Sequence, residues 1–125
     1  MPKSGFDDAV WESAKAEAKR ILIARARLRG TIHYSELVSK IHPISFEAHD
    51  PRLALFLKEI STEENVAGHG MLTAVVVHKH GDMQPGPGFF ELARALRRDT
   101  SDILRCWIAE LDRVHAYWNT RAGDV

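Results

Sequence analysis

A single cysteine, Cys106, stands among the 125 residues. That excludes an internal disulfide framework and a zinc site built from several thiolates. Charge of one sign is not in excess either: seventeen Lys+Arg balance seventeen Asp+Glu, and the pI is near 7.1. The balance excludes a polybasic, histone-like mode of binding driven by bulk charge, and equally an acidic disordered tail. Long uncharged apolar runs are lacking, and Met1 to Asp8 contains no apolar stretch of a secretion signal. The expectation is a soluble cytoplasmic protein with no membrane partner. What is present is a 45% hydrophobic share, enough for one domain over residues 1–125 with its own core. Residues 120–125 are expected to fray.

Periodicity organises the rest. From Asp7 to Arg29, Trp11, Ala14, Ala18, Ile21, Leu22 and Leu28 recur at three- and four-residue steps, which predicts an amphipathic helix closed by Gly30. Thr31–Tyr34 reads as a short strand and Ser35–Ile41 as a small helix ended at His42-Pro43. In the loop 42–49, Ile44 and Phe46 are the expected anchors. Asp50-Pro51 reads as an N-cap with proline at the first helical position, opening a helix over Pro51–Ile60. Ser61 and Glu64 have capping-box spacing, which predicts a fresh helical turn. The β-branched run Met71–Lys79 reads as a strand buried on both faces. After a turn at Gly81-Asp82, Phe89–Arg98 is helical, and Asp99-Thr100-Ser101 caps a last helix reaching Asn119. On that helix Leu104, Trp107, Ile108, Leu111, Val114, His115 and Trp118 hold helical period and are expected in the core.

The predicted order is helix, short strand, helix, helix, strand, helix, helix. Gly30-Thr31-Ile32-His33-Tyr34-Ser35-Glu36-Leu37 resembles the G-x-I-x-Y-x-E-L segment of several winged-helix domains, including the DNA-binding half of alkylguanine alkyltransferases. The resemblance covers about half of the chain. It implies a mostly helical α+β fold, with a winged-helix-like core, a long N-terminal helix and a C-terminal helical hairpin. The Pro-Cys-His-Arg reaction motif of that family is absent, so alkyl transfer does not carry over. The blocks Met71–Val77 and Pro87–Ala93 also resemble small bacterial proteins of uncharacterised function.

Four sites follow from the residues. In a winged helix, Pro51–Ile60 would be the reading helix, with Arg52 and Lys58 outward, His49 at its start, and Lys79 and His80 on the wing against phosphate. Further basic residues gather on the first helix (Lys15, Lys19, Arg20, Arg25, Arg27, Arg29) and at Arg94, Arg97 and Arg98, as a phosphate-binding face requires. The bland alternative is that these are solvated faces. Second, His78, His80 and Asp82 fall on one side of an extended chain and, with His69, could bind a divalent metal. Water-facing turn residues are the competing reading. Third, Glu59, Glu63 and Glu64 upstream of Lys79 suggest a metal-dependent nuclease or hydrolase. Val77, however, occupies the position where that pattern needs an acid. Fourth, Trp11 on the first helix and Trp107, Tyr117 and Trp118 on the last give the terminal helices apolar faces that a homodimer could bury.

Cys106 has no base within reach on its own helix and reads as a structural thiol. The Pro85-Gly86-Pro87-Gly88 loop lacks the lysine-hydroxyl pair of a phosphate cradle and reads as a rigid turn. The functional expectation is a non-enzymatic binding module for DNA, with a protein-interaction module and a metal-dependent hydrolase as alternatives. No resident cofactor is expected beyond that possible metal.

Overall fold

The computed structural model describes residues 5–47, 50–79 and 84–119. They form five α-helices and two short strands, a mostly helical α+β arrangement. Helix α1 (Asp8–Arg27) starts at Asp7, whose carboxylate accepts the Ala9 N–H at 2.9 Å. It buries Trp11, Ala14, Lys15, Ala18, Leu22 and Ala26, one stripe at three- and four-residue steps. Arg29 adopts a left-handed conformation with φ 54°, and the Gly30 N–H returns to the Arg25 carbonyl at 2.9 Å. Strand β1 (Ile32–His33) and helix α2 (Tyr34–Lys40) follow. Ile44 and Phe46 are buried, as expected of loop anchors. Phe46 joins Phe56 and Trp11 in an aromatic cluster with ring centroids 5.0–6.2 Å apart.

Helix α3 (Pro51–Val66) is a single helix through the position where a fresh start was expected. The hydroxyl of Ser61 caps nothing; it lies buried, 2.5 Å from the Thr73 hydroxyl, and accepts the Thr73 N–H at 3.0 Å. Glu64 closes no capping box but faces His69 and Lys19. Continuity wins because α3 needs no break: its apolar positions Leu53, Phe56, Leu57 and Ile60 already lie on one buried stripe.

The largest departure is in the β-branched run. Leu72–Val75 is a 3₁₀ turn, and only Val76–Val77 is strand (β2), paired in parallel with β1 as Ile32↔Val76 and His33↔Val77. Residues 71–77 are buried among α1, α3 and the last helix. Before β2 begins, side chains take the place of a sheet neighbour for several of the backbone groups. The Met71 N–H donates to Glu110 at 2.8 Å, the Thr73 N–H to Ser61, and the Trp107 indole N–H donates to the Ala74 carbonyl at 2.8 Å.

Helix α4 (Pro87–Ala95) ends through Arg97 at φ 68°, and helix α5 (Ile103–Asn119) crosses the core. It does so rotated from its expected orientation. Cys106, Glu110, Val114 and His115 are buried, while Leu104 and Ile108 are 45% and 46% exposed. The Glu110 carboxylate takes the inward place because Met71, Arg98 and Arg113 all donate to it. Among the described residues no helix is long and apolar enough to cross a membrane.

Candidate binding cleft

Helices α3 and α4 line a cleft of about 330 Å³. Its floor is apolar: Leu53, Ala54 and Leu57 come from α3, and Phe89 and Leu92 from α4. The spacing 53, 54, 57 places three side chains of α3 on one stripe, and Ala54 is the small member that leaves room. The wall is polar. Tyr34, at the junction of β1 and α2, and His78, just past β2, bring their rings to 4.9 Å. The parallel pairing of β1 with β2 sets these two positions side by side. The Tyr34 hydroxyl accepts the Gly86 N–H at 3.0 Å, which keeps the O–H proton available. Burial pushes the phenol up from its usual range, with the Gly86 hydrogen bond opposing. Gly86 sits against these rings: a Cβ there would lie 3.3 Å from His78 Nε2 and 3.5 Å from the Tyr34 oxygen. The loop is held on its other side by the His78 N–H donating to the Gln84 carbonyl at 3.0 Å. Among the described residues no side chain caps the start of α4.

The charged residues at the mouth differ in their freedom. Asp50 and Arg52 neutralise each other: Nε and Nη2 of Arg52 reach the carboxylate at 3.0 and 2.6 Å, and the guanidinium lies 4.6 Å from the Phe6 ring centre. The Arg52 hydrogen bonds hold the Asp50 carboxyl below its ordinary range. Lys58 lines the cleft, is exposed, and makes no ion pair among the described residues. Lys79, next to His78, is likewise exposed and without an ion pair among them. The structure therefore brings Lys58 and His78 to one opening. His49, His80 and Asp82 lie outside the described residues.

Several of the other expected site residues are engaged in packing and ion pairs. His69 stacks on Tyr117 at 4.2 Å, meets Trp118 edge-on, and places Nδ1 3.0 Å from Glu64. Among the described residues no group of three or more His, Cys, Asp or Glu is placed to hold a metal ion. The three carboxylates read as a nuclease set are tied to lysines of α1: Glu59 and Glu63 to Lys15, Glu63 and Glu64 to Lys19. The same pairs remove Lys15 and Lys19 from any phosphate-binding face, and Arg25 and Arg98 are likewise engaged with Glu36 and Glu110. Burial pushes the Cys106 thiol up, away from the thiolate. Tyr34 and the Gly86 loop are the members of the site that periodicity missed. The sequence signals are the position of Tyr34 within the winged-helix-like segment and the Pro-Gly pattern of residues 85–88, which reads as a structural turn.

A mostly helical α+β arrangement with an apolar cleft bordered by Lys58, His78 and Tyr34 is the class that fold and site define. No protein family, no curated protein and no solved structure matches the chain.

Proposed function

We propose that the chain is a non-enzymatic binding module for nucleic acid, with a winged-helix-like use of its elements. In this reading α3 is the reading helix and the segment after β2 takes the place of a wing. The observation that carries it is the pair Lys58 and Lys79. They come from those two elements, both are exposed, and neither is consumed by a carboxylate of the described residues. Arg52 joins them only by leaving Asp50. Fluorescence anisotropy on a random-sequence duplex across a salt series tests the proposal. Affinity should fall steeply with salt, and Lys58→Ala with Lys79→Ala should lower the log–log slope by roughly 2, about 0.9 per lost phosphate contact. Absence of binding at low salt, or an unchanged slope in the double variant, overturns it.

One observation favours a second reading, a homodimer through a terminal helix. The apolar residues Ile103, Leu104 and Ile108 of α5 are each about half exposed and lie within about one and a half turns of each other, a surface that a second copy could cover. Sedimentation equilibrium should then show a dimer that Leu104→Glu with Ile108→Glu converts to monomer. A wild-type monomer at all concentrations removes this reading.

A further inference from the structure

We infer that the cleft between α3 and α4 is a site for a small amphipathic anion, a molecule with an aryl or aliphatic body and one carboxylate-like group. This goes beyond the nucleic-acid reading, which shares Lys58 but makes no use of the apolar interior. The volume of about 330 Å³ equals about ten water molecules' share of the liquid. Water filling it would face Leu53, Leu57, Phe89 and Leu92, which offer no hydrogen bonds. An apolar body released from solvent onto those side chains is the favourable occupant.

The rim specifies the charge. Asp50, the one carboxylate on the lining among the described residues, is neutralised by Arg52 in two contacts. What remains on the lining is the Lys58 ammonium, the His78 imidazole and the Tyr34 O–H, whose oxygen already accepts from Gly86. All three can donate to an anionic oxygen, and a charge-assisted hydrogen bond is the strong kind. The space is also kept open on purpose of geometry: Ala54 is small and exposed, and a Cβ on Gly88 would meet nothing within 4 Å.

The test is an amide-resolved NMR titration with 4-phenylbutyrate and, in parallel, its neutral analogue 4-phenylbutanol. The acid should saturate in the millimolar range or below, with shifts concentrated at Ala54, Leu57, Gly88 and Phe89. The alcohol should bind about tenfold more weakly, and Lys58→Ala should bring the acid to the alcohol's level. Ala54→Phe should abolish both while the amide dispersion stays native. Gly88→Leu serves as a second blocking variant should the first fail to fold. Absence of saturable shifts, shifts centred elsewhere, or full binding by a folded blocking variant overturns the site. Equal affinity for acid and alcohol overturns its anion preference. None of these outcomes depends on duplex binding, so the two proposals fail separately.

Discussion

The Lys15 ammonium lies 2.6 Å from a carboxylate oxygen of Glu63, with its side chain almost wholly buried between α1 and α3. Glu59 and Glu12 complete its surroundings at 3.1 and 3.2 Å. Burial alone would lower the lysine's pKa, but the hydrogen bonds to Glu63, Glu59 and Glu12 outweigh it and raise it. Lys15→Met removes the charge and leaves its carboxylates without it. Breaking a fully buried pair costs about 3–5 kcal/mol. Here Glu59 and Glu63 keep partial access to water, so the expected loss is about 1–2 kcal/mol. Urea denaturation checks this, and Lys15→Met combined with Glu63→Gln should cost less than the sum of the two.

Glu110 ties three elements together, accepting from Met71 N–H, Arg98 and Arg113. Glu110→Ala leaves the buried Met71 N–H without its acceptor and Arg98 without its carboxylate, though Arg98 keeps Asn65 and Leu96, and should cost about 3 kcal/mol. Glu110→Gln keeps an acceptor and should cost about 1–3 kcal/mol.

The same group sets an acid limit. Burial raises the Glu110 carboxyl, but the Arg98 and Met71 hydrogen bonds prevail and hold it below its ordinary 4.5. Glu63 is held down likewise, by Lys15 and Lys19 against its own desolvation. The unfolded chain therefore takes up these protons first, so their stabilisation is present above about 4.5 and is lost as pH falls through the lower folded values. Melting temperatures from pH 7 down to 3 should fall, and the gap between wild type and Glu110→Gln should narrow on acidification. A gap that widens would contradict the assignment.

Ser61→Ala should destabilise by about 1–3 kcal/mol, because it leaves the Thr73 N–H and hydroxyl without their partner inside the core. Hydrogen exchange at the Thr73 amide should accelerate selectively. Ser61→Ala as a lost helix cap would instead speed exchange in the following turn of α3.

For nucleic acid, Lys58→Ala should weaken duplex binding more than Arg52→Ala. Lys58 is unengaged by the described residues, whereas Arg52 must first give up Asp50 and the Phe6 ring. Anisotropy titrations of the two single variants at one low salt concentration decide the order.

Local chemistry by itself determined the helices. The three- and four-residue spacing in α1, the Asp50-Pro51 start of α3 and the loop anchors Ile44 and Phe46 depend on neighbours in the chain, and they stand where periodicity and capping put them. Lys58 and Lys79 were likewise legible as outward cations, since a solvated lysine needs no partner. What the tertiary structure alone decided involves groups far apart in sequence. Met71–Val77 has the composition of a strand, yet Leu72–Val75 coils into a 3₁₀ turn because Glu110, Ser61 and Trp107 supply its hydrogen bonds from α5 and α3. The hydrophobic stripe of α5 pointed Leu104 and Ile108 inward, but satisfying Met71 and Arg98 turned Glu110 to that face. A basic α1 and an acidic α3 cancelled each other, since Lys15 and Lys19 lie opposite Glu59, Glu63 and Glu64 only once the helices pack. The cleft arose in the same way: Tyr34 and His78 are forty-four positions apart, and the parallel pairing of two-residue strands is what sets their rings together. Periodicity reports which side of an element is apolar; only packing reports which partner it meets.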